Sequence, residues 1–129
     1  MRLLLDTNAL LWWLAADRSL GRRARALIAD AASSVFVSAA TVWEIAIKRS
    51  LGKLDSPSDL ERQIEDNRFV PMPVTLGHAW AAGHLPRHHD DPFDRMLVAQ
   101  AAAEGLAILT ADSRIGLYGI QTVPARERA

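Results

Sequence analysis

The sequence predicts a three-layer α/β/α sandwich around a mostly parallel, twisted sheet. Three observations carry this. Short, continuously apolar runs at 3–5, 35–37 and 106–110 have the length and composition of strands buried on both faces. Helix-length stretches with recognisable start and stop residues alternate with them, as parallel strands joined by helical crossovers require. The 129 residues are 50% hydrophobic and 23% charged, which suits one domain, expected over 1–129, with a core of its own.

The elements follow in order. Leu3, Leu4 and Leu5 make the first strand, ended by Asp6, and Thr7 or Asn8 is expected to cap a helix running through Leu14. A second helix is expected from a Ser19 cap, with Leu20, Ala24, Leu27, Ile28 and Ala31 on one face and Arg22, Arg23 and Arg25 outside. Val35 to Val37 form the next strand, followed by a helix over 39–51 that stops at Gly52. Ser56 and Pro57 open a polar helix over 59–67. Residues 69–74 read as a strand that Pro71 and Pro73 push to a sheet edge. A short helix over 75–85, a loop over 86–92 rich in His and Asp, a helix over 93–104 ended by Gly105, a strand over 106–110 and a weak last strand over 119–124 complete the chain.

Composition excludes several chemistries. With 15 basic and 15 acidic residues the formal charge is +0, so no net field steers a polyanion toward the protein. Only Lys48 and Lys53 are lysines; the remaining basic residues are arginines, whose planar fork suits phosphate or carboxylate. The absence of cysteine removes disulfides, thiolate nucleophiles and Cys-ligated zinc, and agrees with a cytoplasmic location. The apolar stretch over 3–16 is interrupted by Asp6 and Asn8 and falls short of a membrane span, so no membrane association is expected.

Ligands of open parallel sheets bind beyond the carboxyl ends of the strands, which singles out four acids. Asp6 ends the first strand, where it serves either as a helix cap or as a site acid. Glu44 lies in Val42-Trp43-Glu44-Ile45-Ala46-Ile47. It is either buried beside a cation or exposed with Lys48 four residues on. In Asp91-Pro92-Phe93-Asp94 the first acid is the expected cap, and Asp94 projects from the first helical turn toward the rim that holds Asp6. Asp112 follows the strand over 106–110 and can cap the segment after it. Asp6, Glu44, Asp94 and Asp112 thus fall at comparable ends of successive βα units, and clustered carboxylates repel unless a divalent ion compensates. Oxygen ligands favour Mg²⁺ or Mn²⁺ over zinc.

The stretches Leu3-Leu4-Leu5-Asp6-Thr7-Asn8, Val37-Ser38-Ala39-Ala40-Thr41-Val42-Trp43-Glu44-Ile45, Asp91-Pro92-Phe93-Asp94-Arg95-Met96-Leu97-Val98-Ala99-Gln100-Ala101 and Leu109-Thr110-Ala111-Asp112, in this order, resemble the PIN-domain ribonucleases, specifically the VapC-type toxins of bacterial toxin-antitoxin pairs. The resemblance spans nearly the whole chain. It implies a PIN-like fold and a Mg²⁺- or Mn²⁺-dependent endoribonuclease whose acids correspond to Asp6, Glu44, Asp94 and Asp112. It also implies support from Thr7, Asn8 or Ser38, a homodimer, and silencing by a cognate VapB-like antitoxin. Arg95 and Arg114 are candidates for positioning phosphates, set against ordinary ion pairs with Asp94 and Asp112.

His88 and His89 read mainly as polar loop residues, with metal ligation as the alternative. Trp12 and Trp13 point about 100° apart on their helix, as core residues or as part of a groove for an antitoxin helix. Two other functions share a strand that ends in Asp. An aspartyl-nucleophile phosphatase needs a second acid two positions on, where Asn8 stands. A receiver-like Mg²⁺-binding module needs a lysine after a late strand, and both lysines are early.

Overall fold

The computed structural model describes residues 1–127; Arg128 and Ala129, the end of the expected 1–129 unit, lie outside the described residues. The chain runs β1 (Arg2–Leu5), α1 (Thr7–Leu14), α2 (Arg22–Ala29), β2 (Ser34–Ser38), α3 (Ala39–Ser50), α4 (Leu60–Asp66), β3 (Val70–Met72), α5 (Leu76–Gly83), α6 (Pro92–Glu104), β4 (Ala107–Thr110), a 3₁₀ turn (Ile115–Tyr118) and β5 (Thr122–Pro124). The strands form one sheet in the order β3-β2-β1-β4-β5, and every neighbouring pair is parallel. Sheets of this kind are covered on both faces, so their strands are apolar throughout.

The pleat explains the unbroken leucine run of β1. Leu3 and Leu5 pack with Val37, Leu109 and residues of α1 to α4, while Leu4 and Ile108 pack on the opposite face against Leu97, Val98 and Ala101 of α6. All three leucines are fully buried, each worth about 1.5 to 3 kcal/mol of apolar burial. The result is the three-layer sandwich that the alternation of apolar runs and helices predicts.

Some boundaries differ from expectation, each for a local reason. The cap of α1 is Asp6, whose side chain accepts the Ala9 N–H, and neither Thr7 nor Asn8. The second helix starts at Arg22 because the Asp17 side chain accepts the Ser19 N–H at 2.8 Å and folds 17–19 into a turn. Gly21 then meets the C-terminal segment: its N–H donates to the Ala125 carbonyl at 2.7 Å, and a Cβ there would lie 2.8 Å from the Glu127 backbone nitrogen. Ala31 falls beyond the end of α2, and Ser56 and Pro57 lie in the coil ahead of α4, which begins at Leu60. The edge position of β3 is the one that its prolines require.

The chain leaves β1 toward β2 on one side and returns to β4 on the other, so the sheet's switch point falls between β1 and β4. Asp6 stands directly after the first of these strands, and Asp112 two residues after the second.

Candidate metal centre

A cavity of about 510 Å³ opens at this switch point, and all four acids singled out from the sequence line it: Asp6, Glu44, Asp94 and Asp112, together with Thr7, Asn8, Trp12, Lys48, Asp91 and Arg126. Four elements aim them. Asp6 is fixed by its own capping bond at 2.8 Å, with its backbone N–H on the Leu109 carbonyl of β4. Glu44 faces inward from the second turn of α3, a helix capped by the buried Ser38. Asp94 sits in the first turn of α6, and Asp112 behind the Thr110 hydroxyl, which accepts the Asp112 N–H at 3.0 Å.

The acids differ in how their charge is met. Glu44 is buried and paired: the Thr7 hydroxyl donates to one oxygen and the Lys48 ammonium to the other. Of the two sequence alternatives for Glu44, the buried one beside a cation holds and the exposed one does not; the cation is nonetheless Lys48, one helical turn on, whose stem reaches solvent. Asp112 is paired with the Arg114 guanidinium, whose bonds, with the Arg114 and His89 hydrogen bonds behind them, hold its carboxyl well below the usual carboxylate range. Asp6 and Asp94 have no Lys or Arg partner among the described residues. Burial pushes the Asp6 carboxyl up to about 6 against the pull of its hydrogen bonds to Thr110 and Ala9. Burial, then the charges of Asp91 and Asp6, push Asp94 up to about 7.

This donor set fits a divalent cation. Burial opposes the ionisation of Asp6 and Asp94, neither of which has a Lys or Arg partner among the described residues, and oxygen donors match Mg²⁺ or Mn²⁺. Asp91 accepts the N–H groups of Phe93 and Asp94 as the α6 cap, as the sequence implies, and also lines the cavity. Asp91→Ala is expected to lower stability by about 1 kcal/mol through loss of the cap, a fall that thermal melting detects.

Two residues do work that the sequence did not assign them. His89 is buried, with Nε2 2.8 Å from Asp112 and 3.0 Å from Asp94. His88 is exposed and stacks edge-on against Tyr118. Arg126 reaches the cavity from the C-terminal segment and lies over the Trp12 ring, 4.8 Å from its centroid. Of the two readings of Arg95 and Arg114, the ion pair holds for Arg114, but Arg95 makes no pair with Asp94 among the described residues. Arg95 donates to the carbonyls of Ala82, Leu85, Pro86 and His89 and so fastens the loop ahead of α6, while Arg114 grips Asp112. Trp12 and Trp13 also part company: Trp12 lines the cavity, whereas Trp13 packs on Phe69 and donates to Asn67. Of the expected supporting residues, Thr7 bonds Glu44, Ser38 caps α3, and Asn8 is exposed at the cavity wall.

No helix among the described residues is long and apolar enough to cross a membrane. Comparison with known proteins agrees with the fold. Ribonuclease VapC16 of Mycobacterium tuberculosis is 38% identical over 60 residues, a stretch covering 45% of this chain and 43% of that protein's length. The crystal structure of VapBC2 from Rickettsia felis bound to a DNA fragment from their promoter superposes with a TM-score of 0.70 at 13% identity, covering 95% of this chain and 98% of the other. A toxin-antitoxin complex from Klebsiella pneumoniae gives a TM-score of 0.66 at 19% identity, over 97% and 98% of the two chains. The PIN domain family profile matches residues 3–120, and the chain belongs to that family.

Proposed function

We propose that this chain, one PIN-like domain over 1–129, is a Mg²⁺- or Mn²⁺-dependent endoribonuclease and the toxin of a toxin-antitoxin pair. The observation that carries the reading is the cavity itself: it gathers five carboxylates, of which Glu44 and Asp112 have their own cations, Asp91 is spent as the α6 cap, and Asp6 and Asp94 have no Lys or Arg partner among the described residues. Family membership supports nuclease chemistry, and the name Ribonuclease VapC16 supports RNA as the substrate class.

Asp6 and Asp94 would hold the ion directly, with Glu44 and Asp112 completing the acidic ring. When bound, the ion supplies a positive centre that polarises a phosphodiester oxygen and acidifies water for in-line attack. The chain does the rest. Its capping bonds fix Asp6 on α1 and Asp94 on α6, Lys48 holds Glu44 in place, Arg114 keeps Asp112 ionised and in place, and Arg126 offers an exposed cation where an RNA backbone enters. Attack by water on phosphorus with the 3′ oxygen as leaving group, which takes up a proton as the P–O3′ bond breaks, would leave a 5′-phosphate and a 3′-hydroxyl. Mapping the ends made from a defined RNA by the purified protein with Mn²⁺ tests this, because 2′,3′-cyclic phosphate ends would mean that the RNA's own 2′-hydroxyl attacks and would contradict the reading.

The likeness to VapBC2 of Rickettsia felis and to the Klebsiella pneumoniae toxin-antitoxin complex supports a VapB-like antitoxin as the regulating partner. A homodimer and a cytoplasmic location belong to the same proposal. The exposed Leu76 and Trp80, one turn apart on α5, offer apolar surface for such contacts. The phosphatase and receiver readings have less support. Asp6 is buried and engaged as a cap rather than presented as a nucleophile, Asn8 stands where a second acid is needed, and Lys48 bonds Glu44 instead of following a late strand.

A further inference from the structure

The loop over 86–91 carries a buried side chain for which the proposed reaction has no use. The His89 backbone is held from outside the cavity: its N–H donates to the Tyr118 hydroxyl at 3.0 Å, and its carbonyl accepts from Arg95 at 3.3 Å. The ring is held as well, since Nδ1 accepts the Asp91 N–H at 3.0 Å. A nitrogen that accepts cannot carry the hydrogen, so the ring hydrogen sits on Nε2. That nitrogen faces two carboxylate oxygens, Asp112 Oδ2 at 2.8 Å and Asp94 Oδ2 at 3.0 Å.

His89, Asp94 and Asp112 have atoms within 4.8 Å of one another, a spacing that would suit a His-Asp-Asp ligand set. The hydrogen on Nε2 argues against that use, because a ligating nitrogen must present its lone pair. Moving the hydrogen to Nδ1 would set it against the Asp91 N–H, and Asp91 is held in place as the cap of α6. Asp112 is committed too. It accepts the Arg114 N–H and Nε–H on Oδ1, and Arg114 Nη2 and His89 Nε2 on Oδ2. Four donors fill the roughly four lone-pair positions of a carboxylate. Asp94 differs: its Oδ1 accepts no hydrogen bond from the described residues.

We propose that His89 is a positioning residue: its Nε2–H, donated to the Arg114-clamped Asp112 at 2.8 Å, also lies 3.0 Å from Asp94 Oδ2 and holds that oxygen by electrostatic attraction, leaving the second oxygen of Asp94 for a divalent cation. The inference rests on the reading of the cavity as a metal centre. It divides the four acids: Asp112 anchors the ring, and the ring holds Asp94. Partners of this kind typically change metal affinity by about 10- to 100-fold when removed.

The test uses the full chain. Mn²⁺ affinity is measured by calorimetry for the unsubstituted protein, His89→Ala and His89→Gln, with thermal melts of each. The imidazole tautomer is read by long-range ¹H–¹⁵N NMR with and without saturating Mg²⁺. The expected result is a loss of about 10- to 100-fold in Mn²⁺ affinity for His89→Ala and substantial recovery in His89→Gln, whose amide can donate from a similar position. The ring should keep its hydrogen on Nε2 in the Mg²⁺-loaded protein. Should His89→Ala fail to fold, the glutamine variant and the tautomer still decide. Unchanged Mn²⁺ affinity in a folded His89→Ala, or a ring whose Nε2 loses its hydrogen to a bound ion, overturns the proposal alone. Failure of the unsubstituted protein to bind either ion overturns the metal-centre reading and this inference with it.

Discussion

Asp94→Asn is expected to lose at least about 100-fold of metal-dependent RNA cleavage while the metal-free protein becomes more heat-stable at pH 8. The two effects have one cause. Asp94 lies beside Asp91 and Asp6 in a partly desolvated position where its ionisation is opposed, so an isosteric neutral amide relieves repulsion that only a bound cation otherwise offsets. The amide oxygen can still lie against His89 Nε2, and the Asp91 cap of α6 is untouched, so the loop and α6 keep their arrangement. A catalytic carboxylate and a structural one are separated by this pair of readouts. Loss of a structural acid lowers activity and melting temperature together, as expected in part for the Asp91 cap. If Asp94→Asn kept full activity, or lost both activity and stability, the placement of Asp94 at the metal would be wrong.

The metal-free protein is also expected to lose stability as the pH rises from about 5 to 8. Asp6 and Asp94 have folded-state values of about 6 and about 7 against an ordinary 3.8. Between these values the unfolded chain has released its protons and the folded chain has not, so raising the pH favours unfolding. Above both folded values the penalty is complete. Asp112 acts in the opposite direction, since its lowered value gives stability at neutral pH that is lost on acidification. Its unfolded form is mostly ionised by pH 5, which leaves the interval above that to Asp6 and Asp94. The expected loss between pH 5 and 8 is on the order of 3 kcal/mol, or about 10 °C in melting temperature for a chain of this length. Saturating Mn²⁺ at pH 8 should restore about that much, as binding at 100 times Kd stabilises by about 2.7 kcal/mol. Melting curves across this range check it; a flat profile without metal would mean that the cavity tolerates its charges unaided.

Much of the fold was legible because its signals are local. The strand Leu3 to Leu5 is apolar without a break because both faces of the central strand are covered, and Asp91-Pro92 ahead of α6 and Gly105 after it mark the ends of that helix. The four acids were legible for the same reason: each stands at the end of a strand or in the early turns of a helix, and topology gathers such positions at one rim. The parts that escaped depend on contacts between distant segments. Nothing near Ser19 shows that Asp17 will take its N–H, or that the chain end at Ala125 will press on Gly21. His89 read as a solvated loop residue because the carboxylates it faces lie 5 and 23 residues away, and only the fixing of its Nδ1 by Asp91 shows which way its hydrogen points. Arg95 stands beside Asp94 in sequence yet turns to the carbonyls of the preceding loop.

The central claim is that a divalent ion gathered by these carboxylates makes the cavity a ribonuclease. The most direct measurement incubates the purified protein and Asp94→Asn with total RNA, in Mn²⁺ and in EDTA, and maps the cleavage sites by sequencing the new 5′ ends. Discrete cuts are predicted for the unsubstituted protein in Mn²⁺, with none above background in EDTA or for the variant. Equal cutting in EDTA, or by Asp94→Asn in Mn²⁺, would contradict the account.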